Sequence, residues 1–200
     1  MTQTTMTVGR QNAAAALQRW PDRFSPLAQV FHWVTAPLMI CVLVLGWYMR
    51  AVPHDLPARQ GWYDLHEATG VLILAITAVR LGWRWLNPPP SMPGHLGAIE
   101  QWGAILSHIG LYAVLLVMPI SGYLLAMAKG HSLNFFWLFT VPQFVPSNAD
   151  LAKAAQTVHV FGQYGVVGLI VLHVLATGWH VAVRRDGVLN RMLPPQDGGR

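Results

Sequence analysis

Three histidines recur at a regular spacing in an apolar stretch near the C-terminal end of the chain. His173 follows His159 by 14 residues, His180 follows His173 by 7, and no residue between the first and the last is charged. Fourteen residues at about 100° each fall about 40° short of four full turns, so His159 and His173 share one helix face, roughly 21 Å apart along the axis. Ionisable side chains inside such apolar helices are rare and usually functional. These imidazoles indicate metal or cofactor ligation, with hydrogen-bonded interior histidines as the alternative.

Histidines on other apolar segments match these two in depth. The charged residues that flank the segments place His66 and His159 near one end of a bundle, and His32 and His173 near the other. A six-coordinate haem iron held in an antiparallel bundle requires one imidazole on each side of its ring. Zinc or copper sites usually gather three or four ligands at one depth, often with carboxylate or sulfur, and Glu67 is the only carboxylate adjacent to any of these histidines. Two separated pairs therefore favour two haems over a bare metal ion.

The cysteine content restricts how such a haem is held. Cys41 is the single cysteine of the chain. A CxxCH attachment needs two cysteines, so any haem is bound without a covalent thioether link, as in b-type cytochromes. Structural zinc sites built on cysteines are excluded for the same reason.

Two further residues are candidates for the cofactor site. His108 reaches the same depth as His32 and competes with it as the partner of His173, and depth alone does not choose between them. Arg80 follows His66 by 14 residues and so lies on the same helix face, at the depth of His32 and His173. Its planar guanidinium is suited to pairing with a haem propionate, but an arginine at this position also snorkels to the membrane surface. Both interpretations of Arg80 stay open.

The elements that position these residues are predicted to be membrane-spanning helices. The chain has 200 residues, 54% of them hydrophobic and 10% charged, whereas a soluble domain usually carries about a quarter charged residues. Four segments reach the roughly 20 apolar residues that cross a bilayer; they are 27–49, 62–86, 101–127 and 157–183. The predicted fold is all-α, an integral membrane four-helix bundle enclosing two haems. The bundle domain covers 27–193, after an N-terminal cytoplasmic extension at 1–26 and before a C-terminal tail at 194–200.

The distribution of positive charge predicts the orientation of this bundle. Nine Lys and Arg residues lie in the two terminal segments and on the side of the connection between helices two and three. The other side carries four, namely Arg50, Arg59, Lys129 and Lys153. The positive-inside rule then places both termini in the cytoplasm. The lipid bilayer is an expected partner of the four spans, and no nucleic acid is expected.

Several segments together resemble the bacterial cytochrome b561 family. These are "VFHW" in helix one, "DLHEATGVLILAITAVRLGWRW" in helix two, "LSHIGLYAVLLVMPISGYLL" in helix three, and the histidine spacing of helix four, covering roughly 24–193. The resemblance implies two b-type haems, with His32 and His173 as axial ligands of one and His66 and His159 as ligands of the other. His108 is then expected beside the inner haem, near a propionate or a quinone.

Three functions are compatible with this pattern. The first is a dihaem cytochrome that passes electrons between an outer donor and a quinone such as ubiquinone, and the resemblance adds superoxide as one donor used within the family. The second is a haem-containing membrane anchor that relays electrons for a partner oxidoreductase. The third is a haem-free, histidine-lined metal or proton transporter. The formal charge of the outer side sums to zero and so does not favour superoxide; Lys129 and His131 are the best candidates for a local positive patch.

Overall fold

Four long helices dominate the computed structural model, which describes residues 23–194. In chain order they are α1 (Pro26–Ala51), α2 (Ala58–Leu86), α3 (Ala98–Ala128) and α4 (Ala149–Trp179). Each is long and apolar enough to cross a bilayer, and the predicted four-helix membrane fold is confirmed. Nearly all of the predicted extension at 1–26 and of the tail at 194–200 lies outside the described residues.

All four helices begin earlier than hydropathy predicted, and the difference is largest for α2 and α4. α2 begins at Ala58 rather than residue 62, and α4 begins at Ala149 rather than residue 157. Asn148 caps α4, because its side-chain oxygen accepts a hydrogen bond from the backbone N–H of Leu151 at 2.9 Å, which is the preferred chemistry at this position. The first turns of α4 are polar, so they extend the helix beyond the apolar segment that hydropathy detects.

The connection from α3 to α4 contains a small hairpin that the sequence did not predict. Strand β1 (Asn134–Phe135) pairs antiparallel with β2 (Phe139–Thr140). The turn between them carries Phe136 and Trp137 at positive φ, and the Trp137 side chain is exposed. We expect this aromatic loop to rest on the membrane surface, where tryptophan is enriched.

The chain leaves α4 through one π-helical turn, His180–Arg184, and a 3₁₀ helix, Leu189–Met192. Arg185 adopts the left-handed conformation between them, with φ of 51°. The indole N–H of Trp33 donates to the carbonyl of Met192 at 2.7 Å. This C-terminal segment therefore folds back across the end of the bundle at which α1 begins.

Helix packing leaves space on one side of α4. Among residues 23–194, α1 packs along α2, α2 along α3, and α3 along α4, whereas the backbone of α4 makes no comparably close approach to α1 or α2. Gly110 and Gly162 lie in the α3–α4 interface, against Leu169 and Met118 respectively, as small residues do where membrane helices pack closely. The gap between α4 and the α1–α2 pair is where the histidine pairs lie.

Candidate cofactor site

The site is described by three layers across the bundle, each made of one residue from every helix. Successive layers are seven residues apart along each helix. Seven residues are about two turns and about 10.5 Å of rise, so such residues share a face. The outer layer holds Gly46, His66, Gly122 and His159. The middle layer is the buried apolar cluster of Met39, Ile73, Leu115 and Val166. The inner layer holds His32, Arg80, His108 and His173.

The outer layer brings together His66 of α2 and His159 of α4, with their ring planes perpendicular. Their ring centroids lie 6.0 Å apart with an interplanar angle of 90°. Nδ1 of His66 donates to the carbonyl of Val42 at 2.9 Å, and Nδ1 of His159 donates to the carbonyl of Met118 at 2.9 Å. A carbonyl oxygen only accepts, so each Nδ1 carries the proton and each Nε2 keeps a free lone pair. This is the tautomer that a metal ligand requires, with its orientation fixed by the second nitrogen.

The inner layer brings three imidazoles together. The centroid of His173 lies 6.2 Å from that of His32 and 5.7 Å from that of His108. Both predicted partners are therefore within reach, and the geometry leaves the choice between His32 and His108 open. Trp33 stands edge-on to the His32 ring at 5.0 Å.

These centroid distances fit a haem iron between the rings. A metal–imidazole bond is about 2 Å and the nitrogen lies about 1.1 Å from the ring centre, so two imidazoles on opposite sides of one metal have centroids about 6 Å apart. The outer pair and the inner His32–His173 pair match this value. No cluster of three or more His, Cys, Asp or Glu side chains suited to a metal ion is found between residues 23 and 194. The separations are those that two histidine ligands of one haem iron would have.

Arg80 lies in the inner layer among these imidazoles. Its guanidinium carbon is 5.1 Å from the ring centroid of Tyr112, and that of Arg84 is 5.5 Å from the same ring. Within the described part of the chain, no carboxylate pairs with Arg80. A partly buried arginine with free donors is suited to binding an anionic group such as a propionate.

The small residues near the histidines have two different roles. Gly162 lies three residues after His159, and a Cβ added there would lie 2.5 Å from the sulfur of Met118, so Gly162 allows the close packing of α3 and α4. A Cβ at Gly70 would meet nothing within 4 Å, which fits open space beside His66. Sequence reasoning missed Gly46 and Gly122, whose only signal is their place in the seven-residue register.

A family model for prokaryotic cytochrome b561 matches residues 23–195. The chain belongs to this family. Cytochrome b561 homolog 2 of Escherichia coli (strain K12) is 29% identical over 177 residues, covering 86% of this chain and 92% of that protein. Cytochrome b561 homolog 1 of the same organism is 27% identical over 178 residues, covering 86% and 98%. A protein of Yersinia pestis named probable superoxide oxidase CybB is 28% identical over 185 residues, covering 88% and 98%.

Membership of the cytochrome b561 family establishes the general class of the protein. It is an electron-transfer protein of the bacterial inner membrane, and the family implies b-type haem. The residues present fit that group, because His66 and His159 are already in the ligating tautomer at the required separation.

Just beyond the C-terminal end of α4 in this cytochrome b561 bundle, an acidic residue lies between two histidines. Asp186 is 9% exposed and accepts hydrogen bonds from Nδ1 of His180 at 2.6 Å and from Nε2 of His95 at 3.3 Å. Burial acts to raise the pKa of Asp186, but the hydrogen bonds from His180, Val188 and His95 outweigh it and lower that pKa below its usual value. The side chain of His95 is 46% exposed, whereas that of His180 is 15% exposed.

A cleft of about 470 Å³ lies between the start of α2 and the segment that follows α3. Its walls include His54, Arg59, Lys129 and His131, and Glu67 also lines it. Arg59 donates to Nδ1 of His54 and, at 3.2 Å, to the hydroxyl of Tyr63. Its Nε is buried without a hydrogen-bond partner, so the guanidinium retains an unused donor.

Proposed function

We propose that this chain is a dihaem b-type cytochrome that transfers electrons between a donor on the outer side of the membrane and a quinone. His66 and His159 hold one haem, and His32 and His173 hold the other. The observation that supports this most directly is the presence of two imidazole pairs at haem-ligand separation, about 21 Å apart along α4. When bound, haem supplies one-electron redox chemistry.

The protein separates the two sites with a dry layer. Ile73 and Val166 are almost fully buried between the histidine pairs, together with Met39 and Leu115. An apolar layer excludes water and keeps the dielectric constant low. Both effects disfavour the passage of ions between the two ends of the bundle. Arg80 and Arg84 supply positive charge at the inner site, where they are placed to bind propionates.

The outer cleft favours a small anion as the electron donor, and we propose superoxide. Although the formal charge of the outer side sums to zero, Arg59 and Lys129 converge on one cleft with His54 and His131, opposed by the single carboxylate of Glu67. A cleft lined by one sign of charge concentrates ions of the opposite sign and raises their association rate. The name of the Yersinia pestis relative refers to the same donor.

The proposed function predicts both haem content and a charge-dependent rate. A pyridine haemochrome assay should give about two acid-acetone-extractable b-type haems per chain. Superoxide should reduce them in stopped-flow experiments, and the electrons should then appear in added ubiquinone. Arg59→Gln and Lys129→Gln should each slow the second-order reaction with superoxide, together by about tenfold or more, and weaken its dependence on ionic strength.

Lys153→Gln is the matched control for the charge variants. Lys153 also lies on the outer side and lines a second groove beside the start of α4, which Lys129 shares. Lys153 does not line the cleft, so its loss should change the rate less than the loss of Arg59 or Lys129. A haem content near one per chain would contradict the dihaem proposal. Equal rates in all three variants would exclude the cleft as the entry site for superoxide.

We further propose that both termini of the bundle face the cytoplasm, from the nine-to-four division of Lys and Arg between the two sides. Residues 27–193 then form the cytochrome domain, with short cytoplasmic segments on either side. A reporter fused to the C-terminus should be active as a cytoplasmic fluorescent protein and inactive as an alkaline phosphatase. Strong phosphatase activity from that fusion would reverse the orientation.

A further inference from the structure

The two outer histidines are held by the same local arrangement, each on the backbone of a neighbouring helix. His66 of α2 donates to the carbonyl of Val42 on α1, and Gly46 lies four residues further along α1. His159 of α4 donates to the carbonyl of Met118 on α3, and Gly122 lies four residues further along α3. At this second site the hydroxyl of Ser121 also donates to the Met118 carbonyl at 2.9 Å and lies 3.1 Å from Nδ1 of His159. In both the α1–α2 and the α3–α4 pair, Nδ1 of the histidine therefore donates to a carbonyl that lies four residues before a glycine.

Because Gly46 and Gly122 have no side chain, these two carbonyls are accessible to an imidazole. In a helix the carbonyl of residue i already accepts from the N–H of residue i+4, and the Cβ of i+4 leans back over that carbonyl. A Cβ at Gly46 would lie 3.0 Å from Cε1 of His66, and one at Gly122 would lie 2.9 Å from Cε1 of His159. Ordinary carbon contacts are about 3.5–4.0 Å, so any side chain at either position would push the ring away from its acceptor.

The inner histidines are held differently. Among residues 23–194, no backbone carbonyl accepts from the ring nitrogens of His32, His108 or His173. The two ends of the bundle therefore differ in how firmly the tautomer and the orientation of each imidazole are fixed.

We propose that Gly46 and Gly122 are positioning residues for the outer haem. By uncovering the carbonyls of Val42 and Met118, they hold both outer imidazoles with the proton on Nδ1 and Nε2 directed at the iron. A hydrogen bond from Nδ1 raises the basicity of the ligand and its affinity for the metal, which favours the oxidised iron. This inference rests on the proposed function only in requiring a haem between His66 and His159.

The test is to place alanine at each position and titrate both haems. Gly46→Ala and Gly122→Ala act on opposite ligands, yet both should alter the same haem, raising its midpoint potential or weakening its binding by about 10–100-fold. That haem is identified as the one missing from His66→Ala. Gly168→Ala is the control for a glycine replaced within a spanning helix, because Gly168 lies on α4, is exposed, and has open space at its Cβ position.

A double variant separates contact with the imidazole from general damage to the fold. Gly46→Ala should lower the yield and thermal stability of the protein, but Gly46→Ala combined with His66→Ala should behave as His66→Ala alone, because the added methyl group then meets no ring. Equal damage in both backgrounds would overturn the inference. So would an effect of the two glycine variants on different haems, or no effect beyond that of Gly168→Ala while the wild type binds two haems. A wild type without haem would instead refute the proposed function.

Discussion

Replacing His66 or His159 with alanine should remove the low-spin signal of the outer haem and stop electron uptake from the outer side. Each supplies one of two imidazoles whose centroids lie 6.0 Å apart, and no third histidine shares their layer. The loss in haem affinity should exceed the roughly 10–100-fold typical of residues that only orient a ligand. Visible and low-temperature EPR spectra of the purified variants measure this directly.

The inner haem provides the internal reference for that experiment. Its spectrum should persist in both variants, because the middle layer of Met39, Ile73, Leu115 and Val166 separates the sites. His95→Ala is the control for loss of an imidazole outside the bundle, since His95 is 46% exposed and both haems should survive its replacement. Loss of both haems from His66→Ala but not from His95→Ala would show that the two sites fold as one unit, contrary to the layered arrangement.

His32→Ala should lose the inner haem or convert it to high-spin, while His108→Ala should keep both haems low-spin. The family pattern places the ligand in the "VFHW" segment of helix one. Ala36, one turn after His32, also leaves room for a flat ring, whereas the corresponding position after His108 is Tyr112. Since His108 lies beside His173 at 5.7 Å, its loss should shift the potential of the inner haem or the rate of quinone reduction without removing a ligand.

The two inner variants form a matched pair, because each removes one imidazole from the neighbourhood of His173. Spectra recorded at several redox potentials distinguish loss of a ligand from a shifted potential. If His108→Ala gives the high-spin haem and His32→Ala does not, helix three supplies the inner ligand and the pairing proposed here is wrong.

Sequence periodicity was sufficient to predict the helices and the depth of their histidines. Apolar length identified four spans, and the 14-residue interval from His159 to His173 placed two imidazoles on one face. Both are properties of a single helix, fixed by its rise and twist. The start of α4 at Ala149 was missed because its first turns are polar, and hydropathy detects only the part of a helix that meets lipid.

Contacts between helices were decided only by the tertiary structure. Nothing in the sequence indicates that the carbonyls of Val42 and Met118 accept from the outer imidazoles, because every helical residue has a carbonyl and only packing brings one to a ring. For the same reason, only the tertiary structure shows that Gly162 packs against Met118.

The charged residues of the outer side also differ between what the sequence predicts and what the tertiary structure brings together. By sequence the outer side is neutral, and Lys129 and His131 were the expected patch. The fold adds Arg59 and His54 to them from the other side of the cleft. A sum of formal charges contains no distances, whereas electrostatic attraction falls with separation and is screened within about 10 Å in salt solution. The sequence by itself therefore determined the spans, the histidines and their depths. The tertiary structure determined which backbone, glycine and charged groups surround each histidine, because those neighbours come from different helices.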